Sequence, residues 1–109
     1  MKLRKQYPLL PEYSDMLEFK CPACGHTHCV SIGPKSFWNP PSWTFNGDLE
    51  RPTINPSVLV THKMPDGTKV CHSFIRDGRI QFLGDCTHHL AGQTVDLPDF
   101  TEEELKSVP

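Results

Sequence analysis

Long hydrophobic runs are missing from this chain of 109 residues. No stretch approaches the roughly 18 consecutive apolar residues that a membrane-spanning helix requires. The first ten residues, MKLRKQYPLL, carry basic side chains but no apolar segment of the kind that secretory signals contain. Both absences lead us to expect a cytoplasmic protein that has no membrane as a partner.

An excess of positive charge is missing as well. The chain has 11 Lys and Arg against 13 Asp and Glu, a net charge of −2 at pH 7, and its basic residues are scattered. Tight binding to nucleic acid requires clustered positive charge. A nucleic-acid-binding zinc ribbon is therefore the least favoured of the functions considered below.

Apolar residues are scarce, at 37%, whereas 11 Pro and 7 Gly are present. This composition favours short strands and turns, and a chain of this length buries only a modest core. Such domains often need a metal or disulfides, and the reducing cytoplasm favours a metal for the five Cys. We predict a mainly β fold: one domain over residues 1–109, with short antiparallel strands, a zinc knuckle and a short C-terminal helix.

Alternation of apolar and polar residues predicts where the strands lie. The predicted strands cover residues 17–20, 30–32, 43–45, 57–61 and 69–75. Residues 1–15 are polar and interrupted by prolines, which predicts either a loose N-terminal arm or an edge strand. The spacing of Thr101 and Glu104 is that of a capping box and predicts the start of the helix.

The stretch CHSFIRDGRIQFLGDCTHH, residues 71–89, predicts a β-hairpin that turns at Asp77-Gly78. Opposed residues share a face, and faces alternate along each strand. The core face then carries Cys71, Ile75, Ile80 and Phe82, and the wetter face carries His72, Phe74, Arg76, Arg79 and Gln81. Extending the second strand adds Cys86 to the core face and Asp85 to the face of His72.

The cysteines predict a metal site. Cys21 and Cys24 have the CPxCG spacing that wraps one turn around a tetrahedral zinc ion. The inward face of the hairpin supplies Cys71 and Cys86 as the remaining ligands, with His88 as the main substitute for Cys86. Weaker candidates are His26, His28 and His72, and Cys29 is predicted to be a free thiol. A closed site with four ligands would be structural.

Other interpretations of the cysteines stay open at this stage. Cys21 and Cys24 could be merely buried or redox-active, although no helix follows them as in thioredoxin-like sites. Cys71 could be a small buried hydrophobic residue.

Several motifs in the same order resemble a family of small phage and prophage proteins often labelled ammonia monooxygenase. They are CPxCGxxH, WTFNGD, PT…PS, CHSFIRDGRIQFLGDCTH and LAGQTVDLP, between Cys21 and Pro98. The sequence shows no membrane span and no evident copper or di-iron site that would support the label. The resemblance implies a phage accessory protein and assigns no activity.

The sequence is also similar, more distantly, to a bacterial domain family found beside ubiquitin-like conjugation systems. The shared features are Cys24-Gly25, Trp43, Pro56-Ser57-Val58, and His72 ahead of the hairpin turn. In that family a Cys stands a few residues before the histidine, whereas Cys71 is adjacent to His72 here. Members are proposed to be proteases that act on the ubiquitin-like protein.

This second resemblance implies catalytic roles for Ser57 and His72, and the hairpin pattern adds Asp85. A nucleophilic serine needs a base within hydrogen-bonding reach, and the base needs an orienting acid. In the alternative interpretation Ser57 only begins a strand, His72 is a half-exposed strand residue, and Asp85 caps a turn.

Two functions therefore lead. The first is a phage or prophage accessory protein with structural zinc, which binds a protein partner through the Trp/Pro-rich loop and the His-rich face. The second is a zinc-stapled serine hydrolase, a peptidase or isopeptidase acting on a ubiquitin-like protein. The sequence does not decide whether the chain is an enzyme.

Overall fold

The computed structural model describes residues 1–6, 16–32 and 43–106. Its strands are β1 (Arg4–Gln6), β2 (Met16–Lys20), β3 (Thr27–Ser31), β4 (Thr44–Phe45), β5 (Ile54–Met64), β6 (Gly67–Arg76), β7 (Arg79–Phe82) and β8 (Thr94–Asp96), followed by helix α1 (Glu102–Lys106). The first three strands form one sheet and the other five form a second, each in sequence order. All strand pairs are antiparallel, which confirms the predicted mainly β fold.

The knuckle is the tight connection between β2 and β3. The amide of Gly25 donates to the carbonyl of Cys21 at 3.1 Å, and the amide of Cys21 donates to the carbonyl of His26 at 3.0 Å. Gly25 has φ of +78°, a region that residues with a Cβ rarely adopt. The turn therefore brings the side chains of Cys21 and Cys24 close together at one end of this sheet.

The hairpin of β6 and β7 has the predicted register. Phe74 lies opposite Gln81 and Ile75 opposite Ile80, and the turn residues Asp77 and Gly78 have φ of 50° and 77°. Both values are those of the type I′ turn that suits a two-residue hairpin. The predicted core face is buried, since Ile75 and Ile80 are inaccessible to solvent.

Strand β5 bulges where it passes β6. Ile54 pairs with Ile75 and Val58 pairs with Ser73, so residues 55–57 lie opposite Phe74 alone. The Asn55–Pro56 peptide bond within this bulge is cis. A bulge re-aims the side chains beside it, and here it lies next to Ser57.

The N-terminal strand contacts the C-terminal helix, since Arg4 Nη1 donates to the carbonyl of Glu104 at 2.6 Å. Residues 4–6 form an edge strand, one of the two alternatives predicted for the N-terminal segment, and residues 7–15 lie outside the described part. The predicted capping box is confirmed, because the amide of Thr101 donates to Glu104 Oε1 at 2.7 Å and the amide of Glu104 donates to Thr101 Oγ1 at 3.1 Å. Among the described residues no helix has the length and apolar character needed to cross a membrane.

Candidate active site and metal site

Three polar side chains form a continuous hydrogen-bonded chain on the outward face of β6. Ser57 Oγ lies 2.9 Å from His72 Nε2. His72 Nδ1 lies 3.0 Å from Asp85 Oδ2. The structure therefore brings together the serine, histidine and aspartate that sequence analysis grouped.

Strand pairing explains how Ser57 reaches His72. Leu59 lies directly opposite His72, and residues two positions apart on a strand share a face. Ser57 is thus the diagonal neighbour of His72, within reach of a side-chain contact. The bulge of residues 55–57 ends there, so the serine lies immediately before β5 resumes regular pairing.

Asp85 reaches His72 from a tight turn that follows β7. The amide of Leu83 donates to the carbonyl of His72 at 2.9 Å, and the amide of Cys86 donates to the carbonyl of Leu83 at 3.2 Å. Gly84 and Asp85 are the two central residues of this turn. The turn lies against β6 and directs the carboxylate at the imidazole.

Trp43 contacts the backbone of the serine. Its indole Nε1 donates to the carbonyl of Ser57 at 3.2 Å, and its backbone amide donates to the carbonyl of Ser31 at 2.8 Å. The ring is buried, with 9% of its surface exposed. Sequence analysis had treated Trp43 as strand or partner-binding surface and had missed this contact, because nothing in a local pattern links residues 43 and 57.

The three-residue chain is open to solvent. The side chain of His72 is 24% exposed and that of Asp85 is 56% exposed, and Ser57 is half-buried. A histidine placed in this way can accept the serine proton as the hydroxyl attacks a carbonyl. The exposure leaves room for a large substrate to approach.

A second cluster lies on the inward side of β6. It consists of Cys21, Cys24, His28 and Cys71, whose ligand atoms all lie within 4.8 Å of one another. Three thiols and one imidazole are a typical donor set for a tetrahedral structural zinc site. These four residues are placed to hold a metal ion.

The surroundings of His28 fit that assignment. The residue is 5% exposed, and its buried Nε2 has no hydrogen-bond partner among the described residues. A buried nitrogen without a partner costs free energy, and a metal ion would satisfy it. The edge of the His28 ring packs against Phe19, with 5.6 Å between ring centroids, which fixes the imidazole.

Hydrogen bonding within the cluster separates the thiol pKa values. Cys21 Sγ and Cys71 Sγ lie 3.8 Å apart. This hydrogen bond holds the pKa of Cys21 well below its usual range, and together with burial it raises the pKa of Cys71. Burial, followed by the contact with Cys21, raises the pKa of Cys24 to about 11. Metal ligation requires deprotonated thiols, and the lowered pKa of Cys21 favours its thiolate.

The fourth position of the cluster differs from the expected one. Sequence analysis assigned it to Cys86 with His88 as the substitute, whereas the structure groups His28 with the other three residues. Cys86 Sγ instead contacts the backbone of His72 at 3.2 Å. The imidazole of His88 packs edge-on against Phe82, with 4.5 Å between ring centroids, and its Nδ1 accepts the amide of Leu90.

Strand alternation could have identified His28. It lies two residues before Val30, a core residue, and therefore shares its inward face. Cys29 points to the other face, where its thiol is half-buried 3.9 Å from Glu18 Oε2. It forms no disulfide.

A cavity of 490 Å³ opens beside the four-residue cluster. Cys24 and Cys71 line it together with His26, His62 and His88. The cluster thus meets the cavity at Cys24, its one partly exposed member.

Comparison with known proteins places the chain in a family. The family model described as bacterial ubiquitination-like system serine protease (BubE) matches residues 2–83. The match covers Ser57, His72 and the four-residue cluster, and it ends two residues before Asp85. The comparisons with curated proteins and with solved structures found no match. Since the family model covers well over half of the chain, this protein belongs to the BubE family of bacterial ubiquitination-like system serine proteases.

Proposed function

We propose that the chain is a serine peptidase or isopeptidase that hydrolyses a bond formed by a ubiquitin-like protein. The observation that carries this proposal is the hydrogen-bonded chain from Ser57 through His72 to Asp85. Membership in a family described as serine proteases of ubiquitination-like systems supports it. In this proposal Ser57 is the nucleophile, His72 is the general base and acid, and Asp85 orients the imidazole.

The reaction begins when Ser57 Oγ attacks the carbonyl carbon of the scissile bond and His72 Nε2 takes the hydroxyl proton. The carbonyl electron pair moves to oxygen, and its return breaks the carbon–nitrogen bond. His72 gives its proton to the leaving amine. Water then repeats the attack on the acyl-serine with His72 again as base, which releases the carboxylate and restores the serine hydroxyl.

Asp85 acts in this scheme through His72. Its carboxylate accepts the Nδ1 hydrogen, so the lone pair of Nε2 points at the Ser57 hydroxyl. The negative charge also stabilises the imidazolium that forms during attack. Because the side chain of Asp85 is 56% exposed, solvent screens this charge, and orientation is its larger contribution.

We propose that the metal held by the four-residue cluster is zinc and that its role is structural. All four ligands come from the protein, which leaves no open position for a reacting water. When bound, the ion would link the knuckle to β6 through Cys71, the residue next to His72. Its contribution to hydrolysis would then be to hold the strand that carries the base.

The open site suits a substrate that is itself a folded protein, such as a ubiquitin-like protein cleaved at an extended tail. The face that carries His72 and Asp85 is accessible, so a substrate could approach without first entering an enclosed pocket.

The alternative of an accessory protein that acts only by binding stays a prediction, as does the resemblance to phage proteins. Residues 33–42 of the Trp/Pro-rich loop assigned to that role lie outside the described part.

The first experiment is labelling with a fluorophosphonate probe, followed by mass spectrometry of the modified peptide. We expect phosphonylation of Ser57, with loss of fluoride and with His72 taking the proton. Ser57→Ala should abolish labelling, whereas the control Ser73→Ala, which changes a buried serine on β6, should retain it.

Substrate class is tested next with a bacterial ubiquitin-like protein that carries a C-terminal extension. Release of the extension by the wild-type protein, but not by Ser57→Ala, would support the proposed substrate.

In the fluorophosphonate experiment, labelling of another serine, or equal labelling of Ser57→Ala, would overturn the assignment of the nucleophile.

A further inference from the structure

Beyond the end of β7, Cys86 and Thr87 form hydrogen bonds with the backbone of β6, at positions where a further strand residue would otherwise pair. Cys86 Sγ accepts the amide of His72 and donates to the carbonyl of His72, both at 3.2 Å. Thr87 Oγ1 accepts the amide of Val70 at 2.9 Å, and the amide of Thr87 donates to the carbonyl of Val70 at 3.0 Å. We call these two residues the Cys86–Thr87 clamp. They satisfy backbone groups that a continuing strand would otherwise have paired.

The clamp fixes one end of the turn that carries Asp85. The other end is fixed by Leu83, whose amide donates to the carbonyl of His72 at 2.9 Å. His72 therefore receives backbone contacts from both ends of the turn and a side-chain contact from its centre. The turn can move away from the imidazole only if these contacts break.

Asp85 needs such support because its own interactions are few. Its side chain is 56% exposed, and within the described ranges the hydrogen bond that the structure gives its carboxylate is the one to His72. Exposed ion pairs hold their geometry weakly, since water competes and side-chain entropy opposes them. The position of the carboxylate must therefore come from the backbone of the turn.

We propose that Cys86 and Thr87 are positioning residues that hold Asp85 against His72. The inference rests on the proposed function and adds to it the residues that keep the base oriented. It also gives Cys86 a different role from the zinc ligand that its inward hairpin position predicted.

The test compares Cys86→Ala and Thr87→Val with the conservative variants Cys86→Ser and Thr87→Ser, all in the full chain. The first readout is the rate of fluorophosphonate labelling. We expect Cys86→Ala to slow it by about tenfold and Thr87→Val by about threefold, since a displacement of about 1 Å can cost up to a hundredfold. Thr87→Ser should retain most of the rate, because it keeps the hydroxyl, and Cys86→Ser should retain part of it, because its hydroxyl can donate and accept in place of the thiol.

A double-mutant cycle separates positioning from general structural damage. In an Asp85→Ala background, Cys86→Ala should cause no further loss of labelling rate, because the residue through which it acts is gone. An equal loss in both backgrounds would overturn the proposal. So would loss of bound metal in Cys86→Ala, measured by mass spectrometry, because it would make Cys86 a ligand.

A spectroscopic readout keeps the clamp testable without any hydrolytic activity. Imidazole ¹⁵N shifts, assigned with His72→Gln, should show the Nδ1–H tautomer of His72 in the wild type and a mixture of tautomers in Cys86→Ala. The signals of His28 should not change. An unchanged tautomer would overturn the clamp, whereas a changed tautomer in a protein whose serine is never labelled would retain the clamp and refute the proposed function.

Discussion

Cys71 and His72 are adjacent in sequence but belong to different sites. Cys71 points inward to the candidate metal site of three cysteines and one histidine. His72 points outward to Ser57 and Asp85. Alternation of side chains along β6 is sufficient to separate them. One strand thus supplies one residue to the candidate metal site and one to the candidate catalytic site.

The two sites differ in how the chain assembles them. Cys21, Cys24 and His28 come from one knuckle, so most of the cluster is local in sequence. Ser57, His72 and Asp85 come from a bulge, a strand and a turn, and they meet only through pairing of the second sheet. The cluster therefore depends mainly on a short turn, whereas the triad depends on the register of two strands.

Of the substitutions that would separate the two sites, Cys71→Ser is expected to have the largest effect, because it removes one residue of the inward cluster. Apparent binding free energies of about 10 kcal/mol or more for zinc in small domains are as large as the whole stability of a typical domain. We expect loss of metal, loss of a cooperative thermal transition and loss of fluorophosphonate labelling together. Cys29→Ser is the matched control, and it should keep all three, since Cys29 lies outside the cluster.

His72→Ala should break only the outward site. We expect the labelling rate to fall by about 10⁴-fold or more, as when the histidine of a serine-protease triad is removed. Metal content and the thermal midpoint should stay near those of the wild type. His62→Ala, which changes an exposed histidine on β5, should label normally. If metal were lost with His72→Ala, the two sites would not be separable as described.

Ser73→Ala should affect neither site. Ser73 is 1% exposed, and its Oγ is buried without a hydrogen-bond partner among the described residues. Removal of such a hydroxyl relieves an unpaired polar group and should raise stability by up to about 1 kcal/mol. Thermal unfolding measures this, and a marked loss of stability would show that the hydroxyl has a partner. If the expected results are obtained, substitutions at residues 71, 72 and 73 give three distinct phenotypes.

The smallest effect is expected at Glu104, which belongs to neither site. Its hydrogen bond with the backbone of Thr101, followed by that with Lys20, lowers its pKa from 4.5 to about 2. A carboxyl whose pKa is lowered by folding stabilises the protein above its unfolded pKa and loses this contribution as pH falls through the folded pKa. Any stability advantage of the wild type over Glu104→Gln should therefore shrink from pH 4.5 to about pH 2, with labelling at neutral pH unchanged.

Local signals were sufficient to predict much of the second sheet. Asp77-Gly78 determined the hairpin register, and from that register followed the separation of Cys71 from His72. The capping box at Thr101 likewise needs only four consecutive residues, and the structure contains it.

Features that depend on packing between distant segments could not be predicted in this way. The bulge at residues 55–57 and the indole contact of Trp43 with Ser57 both join segments that no local pattern links. Cys86 shows the same limit. Its inward position was apparent from the hairpin, but the backbone contact that engages its thiol depends on how the chain turns after Leu83.

The alternation along β6 also has a consequence for changes in chain length. Removal or insertion of one residue between His72 and the hairpin turn would reverse every side chain that precedes the change relative to the core. The thiol would then face solvent and the imidazole would face the cluster, so both sites would be lost at once. Length changes at the Pro65–Asp66 turn, whose residues are exposed, leave this parity intact. For protein engineering, the spacing within β6 is therefore a stricter constraint than the identity of most residues that occupy it.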